Sequence, residues 1–345
     1  MHDFTSAPAA DPAPGPQGGT GANPAPGPLA GTGGDPAPGP ATGPVVAVVG
    51  MTATGKSALA LDLAEALGGP GAAEVVNADA MQLYRGMDVG TAKLPVAERR
   101  GVAHHQLDVL DVREEATVAA YQGAARADLA AIRRRGRVPL LVGGSGLYVR
   151  AALDHLDFPG TDPGVRAELE ARAERLGTRP LHDELARLDP EAAARIDPRN
   201  TRRVVRALEV IALTGEKFSA RLPEHVYAVP AVQLAIAVPR PELDARIAAR
   251  AEQMMREGLV EETEALLAQG LAEGPTARRA VGYAQAAEVV AGRLSREEAT
   301  AAIVVATRQL ARRQEKWFRR DPRITWLPVA DATDLRDQAL RTLGL

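Results

Sequence analysis

The chain has 345 residues, 41 basic and 44 acidic side chains, and few aromatics: two Trp, five Tyr and four Phe. It contains no cysteine, which excludes disulfide scaffolds, thiolate zinc sites, iron–sulfur clusters and cysteine nucleophiles. Nothing approaches the roughly eighteen consecutive apolar residues of a membrane-spanning helix. The N-terminus lacks a basic-then-apolar secretory pattern, so a cytoplasmic protein is expected.

Residues 1–44 hold 11 Pro and 10 Gly and repeat D/N-P-A-P-G-P at 11–16, 23–28 and 35–40. This composition offers no apolar face to offset ordering entropy and predicts a disordered tail. The tail carries three acids (Asp3, Asp11, Asp35) and no base, leaving the body neutral at 41 against 41. An anion-binding surface must therefore come from clustering. The clusters are Arg133–Arg137, Arg199–Arg206 and the run from Arg308 to Arg323. With only four lysines (56, 93, 217, 316) against 37 arginines, arginine abundance alone says little.

Val45–Val49 is a short β-branched run that predicts a buried parallel strand. It is followed by Gly50-Met51-Thr52-Ala53-Thr54-Gly55-Lys56-Ser57, which fits G-x4-G-K-[ST]. Leu59, Leu63, Ala66 and Leu67 then recur at helical spacing before Gly68-Gly69. Strand, loop and helix are in the order a phosphate-binding loop requires. Glycines let backbone N–H groups face phosphate oxygens. Lys56 would reach the terminal phosphates, and Ser57 would ligate Mg²⁺. The loop specifies a di- or triphosphate without naming the reaction.

Glu74–Asp79 predicts a second strand ending in a carboxylate, near the phosphate loop because parallel sheets place chemistry at strand C-termini. A long polar loop follows to Lys93. His104 and His105 lack a second ligand pair at helical spacing and read as a structural loop pair. Val138–Val142 predicts a third strand, leading into the Gly143–Tyr148 glycine loop. Asp189-Pro190 opens a helix, and Arg202–Leu213 forms another that ends at Gly215. Gln233–Val238 reads as a returning strand. Leu243–Gly270 and Ala277–Phe318 read as amphipathic helices, the latter with a basic stripe at Arg308, Arg312, Lys316 and Arg319/Arg320. Trp317 and Phe318 are expected to anchor the opposite face.

The phosphate loop, NADAMQLYRGMDVGTAK (77–93), HHQLDVLD (104–111) and LVGGSGLYVRAAL (141–153) together closely resemble the bacterial tRNA dimethylallyltransferases. Further motifs of that family match at 194–215, 280–285 and 307–318, so the resemblance covers roughly residues 45–327. It implies transfer of the dimethylallyl group of dimethylallyl diphosphate to N6 of the adenosine 3′-adjacent to the anticodon, in tRNAs reading codons that begin with U. The implied fold is a P-loop α/β core, a parallel sheet flanked by helices, at 45–159 and 229–327. An all-helical domain at 160–228, gripping the anticodon stem-loop, is inserted in it, and a C-terminal extension occupies 328–345.

By the same resemblance, Asp79 is the general base on the adenine amino group, and Lys56 and Ser145 are catalytic. Gly50–Ser57 bind the diphosphate with Mg²⁺ on Ser57. Asp79, Ala80, Met81, Gln82, Ser145, Arg166, Arg202, Arg203 and Arg206 contact tRNA. Ala80 stands where the family usually has Ser, Ser145 where Thr is common, and Asp197-Pro198-Arg199-Asn200 where His-Pro-Asn-Asp is common. Arg308 points either to diphosphate or to RNA backbone. A monomer is expected. Read from the residues alone, a P-loop nucleoside or nucleotide kinase and a prenyl transferase on free adenine nucleotides stay open. A GTPase is disfavoured because no N-K-x-D motif occurs.

Overall fold

A computed structural model describes residues 43–219, 225–329 and 332–345. All but the last two residues of the stretch read as a disordered tail lie outside them. The expected parallel core is present as a six-stranded sheet in the order β3-β2-β4-β1-β5-β6. Its strands are β1 (Val45–Val49), β2 (Ala73–Asn77), β3 (His104–His105), β4 (Val138–Gly143), β5 (Ala231–Ala237) and β6 (Ile324–Pro328). Every pairing is parallel.

Burial on both faces explains the unbroken aliphatic run of β1. Successive strand residues point to opposite faces. Val46 and Val48 pack with Leu59 and Leu63 of α1 (Lys56–Ala66) and Ile247 of α8 (Arg240–Arg256). Val45, Ala47 and Val49 pack with Leu129 of α2 (Val118–Arg134) and Tyr148 of α3 (Gly146–Leu153). Each fully buried aliphatic side chain contributes about 1.5–3 kcal/mol.

Between α3 and β5 the chain forms α4 (Pro163–Leu176), α5 (Thr178–Leu188), α6 (Pro190–Arg195) and α7 (Thr201–Thr214). These helices share a separate core of Leu169, Leu181, Leu185, Val204 and Leu208. Their ends follow local chemistry. Asp162 caps α4 and Asp189 caps α6, each just before a proline, and Gly215 closes α7 in a left-handed turn. At the root of the insertion, Asp154 bridges to Tyr227. The buried Asp154 carboxylate accepts from Arg150 and Arg323, and Arg323 stacks 3.9 Å over the Tyr227 ring.

Three expectations are corrected. The histidine pair is a two-residue edge strand pairing with Val75 and Val76 rather than a loop. The second strand stops at Asn77, leaving Asp79 in the following turn. Each long C-terminal helix is two: α8 and α9 (Leu259–Ala268) part at Gly258 (φ +98°), and α10 (Tyr283–Val290) precedes α11 (Arg296–Phe318). A Ser295–Glu298 capping box starts α11. The stretch expected as a C-terminal extension, 328–345, carries a helix. β6 pairs with β5, and α12 (Ala332–Leu343) packs Leu335, Ala339 and Leu340 into the cluster that holds α1. No helix among the described residues is long and apolar enough to cross a membrane.

Candidate active site

The loop after β1 turns through left-handed conformations at Gly50 (φ +120°), Ala53 (φ +62°) and Gly55 (φ +96°). Such alternation brings successive N–H groups onto one concave side. Gly55 then starts α1, adding a helix N-terminus to the same place. Met51, Ala53 and Thr54 are buried, so their side chains hold the loop from inside. Thr54 Oγ1 and Lys56 Nζ both donate to Met51 O, at 2.9 and 2.6 Å. Thr52, Gly55, Lys56 and Ser57 line a cavity of about 280 Å³ with Asn77, Asp79 and Gln82.

Asp79 sits at the C-terminal edge of β2. Its Oδ1 accepts the Met81 N–H at 3.0 Å. The adjoining turn is tied to the glycine loop twice: Ala80 N donates to Ser145 Oγ at 3.1 Å, and Ser145 N to Ala78 O at 3.1 Å. The approach demands glycine at 143, where a Cβ would lie 2.2 Å from Ala78 O. Burial pushes the Asp79 carboxyl above the usual carboxylate range, against the pull of the Met81 N–H and Lys56. Burial also draws the Lys56 ammonium down to about 8, opposed by Asp79 and assisted by Arg250. A nearby anion would relieve the desolvated lysine.

Residues that sequence reasoning passed over complete the site. Arg250 of α8 lines the 280 Å³ cavity and, among the described residues, has no hydrogen bond or ion pair; burial lowers its pKa. It also lines a second cavity of about 100 Å³ that shares Thr52 and Asp79 and is walled by Ile247, Met254, Ile303 and Leu310. Gln314 of α11 accepts from Thr52 N at 2.9 Å and donates to Gly144 O at 3.0 Å, joining the phosphate loop to the glycine loop. Glu262 of α9 accepts from Val89 N at 2.9 Å and from the Tyr283 hydroxyl at 2.5 Å, fixing the turn whose Thr91 carbonyl accepts from Gln82. Gln314 and Tyr283 lay in motifs quoted for the resemblance, whereas Arg250 and Glu262 lay in none.

The model of the IPP transferase family matches residues 82–321. A tRNA dimethylallyltransferase from a Nocardioides strain is 58% identical over 84% of this chain and 92% of its own length. One from Thermobifida fusca is 60% identical over 86% and 92%. The chain belongs to the IPP transferase family. Among solved structures, a full-length tRNA isopentenylpyrophosphate transferase from Bacillus halodurans is 37% identical with a TM-score of 0.63, covering 87% of this chain and 96% of that one. A eukaryotic dimethylallyltransferase acting on tRNA, 24% identical, has a TM-score of 0.74 and speaks to the fold alone.

In this IPP transferase the RNA candidates fall into two groups. Arg202 and Arg203 are exposed on the first turn of α7. Arg166 and Arg206 each reach the buried Glu209 at 2.8 Å, and Arg206 also donates to Pro159 O and Gly160 O. Burial raises the Glu209 carboxyl, but the two guanidiniums hold it below its ordinary value. Arg308 approaches Asp244 of α8 at 3.8 Å. Phe318 is buried as expected, whereas Trp317 is 36% exposed and lies over Gly146. Lys316, Arg312 and Arg313 are exposed beside it.

Proposed function

We propose that this chain moves the dimethylallyl group of dimethylallyl diphosphate onto N6 of the adenosine 3′-adjacent to the anticodon in tRNA. The observation that carries the reading is the position of Asp79. Its half-buried carboxylate borders both the phosphate-loop cavity, which the cations Lys56 and Arg250 also help to line, and the smaller one. The curated relatives' names support the choice of allyl donor and of tRNA.

The chemistry follows from the residue types. The N6–C bond forms as the allylic C–O bond breaks, and the bonding pair leaves with diphosphate. The N6 proton passes to Asp79, whose raised pKa makes it a stronger base than an exposed carboxylate. Lys56, Arg250 and the loop amides take up the charge that develops on the leaving group. The apolar walls of the smaller cavity keep water from the allylic carbon. Ser145 Oγ, already accepting from Ala80 N, keeps its own proton for the acceptor nucleotide or the diphosphate. Ala80, Met81 and Gln82 border the place the base would take.

The donor set fits Mg²⁺. The exposed Ser57 hydroxyl is a hard oxygen ligand and lines the cavity, where the Asp79 carboxylate adds negative charge. Ser57 with the diphosphate oxygens would hold the ion, which would neutralise the leaving group. Arg202 and Arg203 on α7, with Arg312 and Lys316 on α11, supply cations for the anticodon stem-loop backbone. Arg166 and Arg206 act on RNA through the shape of the helical domain, since both are engaged by Glu209. In this reading the protein acts as a monomer, in the cytoplasm with its tRNA.

The test is incubation with unmodified tRNA and allyl-labelled dimethylallyl diphosphate, with and without a chelator, beside a tube holding γ-labelled ATP. Label should enter RNA only with Mg²⁺ and return when Mg²⁺ is restored. Label moving only from ATP would make the chain a kinase and overturn the reading.

A further inference from the structure

Asn77 ends β2 and is 4% exposed. Its side chain grips the residue two positions on from both sides. Oδ1 accepts the Asp79 N–H at 2.9 Å, and Nδ2 donates to Asp79 O at 2.9 Å. The second Nδ2 proton goes to Gln106 O at 2.9 Å. The Asn77 carbonyl accepts from the Tyr121 hydroxyl of α2 at 2.8 Å.

The Gln106 partner is itself held. Its backbone is left-handed, φ +58°, a conformation that non-glycine residues adopt at a price in strain. The turn aims its carbonyl at Asn77. Its side-chain amide donates to Asp128 Oδ2 on α2 at 2.7 Å. Helix α2 therefore supports the Asp79 turn by two routes, one through Tyr121 and one through Asp128 and Gln106. Neither Tyr121 nor Asp128 lines either cavity.

We propose that Asn77, braced by Gln106 and Asp128, is a positioning residue that sets the backbone of Asp79 and so aims its carboxylate at the acceptor amine. This rests on the reading of Asp79 as the base. A displacement of about 1 Å at a reacting group is worth up to roughly 100-fold in rate. Without its grip, the carboxylate would sample other directions while the phosphate loop stayed as it is.

The experiment compares Asn77→Ala, Asn77→Ser, Asp128→Ala and Asp79→Asn in the full chain, with tRNA and dimethylallyl diphosphate. Asn77→Ala should lower kcat about 10- to 100-fold while KM for the diphosphate and Kd for tRNA stay within about 3-fold. Asn77→Ser should recover part of the loss, because a serine hydroxyl accepts the same i+2 N–H. Asp128→Ala, far from substrate, should lower kcat by roughly 3-fold with KM unchanged, and keeps the test open if Asn77→Ala does not fold. In an Asp79→Asn background, Asn77→Ala should produce no further drop in the residual rate. Wild-type kcat in folded Asn77→Ala, or a further drop in the Asp79→Asn background as large as in the wild type, overturns the proposal alone. A rise in KM with unchanged kcat also overturns it and makes Asn77 a substrate contact. Asp79→Asn with wild-type activity removes the base, and this proposal with it.

Discussion

Asp79 and Lys56 line one cavity, and desolvation there works against both charges while each favours the other. Asp79→Asn keeps the shape and removes the base. It should lower kcat about 100- to 10,000-fold, the usual reach of general-base catalysis, while tRNA affinity measured by filter binding stays unchanged. Equal turnover would exclude proton abstraction by this residue. Lys56→Ala should instead act on the donor, raising KM for dimethylallyl diphosphate at least about 10-fold; unchanged kinetics would contradict the phosphate-loop assignment. The carboxylate and the lysine were legible from motif and spacing, because a turn of glycines before Lys-Ser has few other uses. Arg250 and Asn77 were not. An arginine among 37 carries no signal, and an asparagine at a strand end is an ordinary turn residue until its partners are seen.

The support for β2 shows why elements matter as much as motifs. Glu74 on that strand is nearly fully buried and accepts from Arg135 and Arg137 just beyond α2, with His105 of β3 2.6 Å away. Burial pushes its carboxyl up, but these three partners pull it further down, to about 2. A depressed folded-state pKa gives stability that is complete above the ordinary value of 4.5 and is lost as pH falls toward 2. Urea unfolding should therefore show Glu74→Gln less stable by about 1–3 kcal/mol at pH 7. The gap should narrow below pH 4.5. A constant gap across that range would mean the carboxylate is not charged in the fold. Four strands were readable from β-branched runs. The edge strand β3 is two residues long, and β6 (Ile-Thr-Trp-Leu-Pro) follows an arginine-rich helix, so neither presents such a run. Helix α12 was not legible as a packed element because its apolar stripe is short and its partner, α1, is remote in sequence.

Across the molecule, the candidate site gathers at the C-terminal ends of β1, β2 and β4, and the helical insertion extends from α3 and β5 on a root of buried ion pairs. The neutral charge balance of the body hides a division of labour among arginines. Some, such as Arg166, Arg206 and Arg323, are struts bound to buried carboxylates. Others, such as Arg202, Arg203 and Arg312, are exposed. Sequence clustering groups Arg202, Arg203 and Arg206 but cannot tell strut from contact, because the partner of Arg206 is a carboxylate three residues later that packs inward. The consequence is measurable. Arg202→Glu with Arg203→Glu should weaken tRNA binding and flatten its salt dependence by about two charges, leaving thermal stability within a degree or two. Arg166→Ala should instead lower stability by about 1–3 kcal/mol, by leaving Glu209 short of a partner.

All of these outcomes depend on one product. The decisive measurement is mass spectrometry of nuclease-digested tRNA after incubation with the protein, Mg²⁺ and dimethylallyl diphosphate. The expected product carries one added five-carbon allyl group, on N6 of the adenosine beside the anticodon, formed by the wild-type chain and not by Asp79→Asn. Unmodified tRNA, with prenylation found only on free adenine nucleotides or with ATP consumed instead, would contradict it.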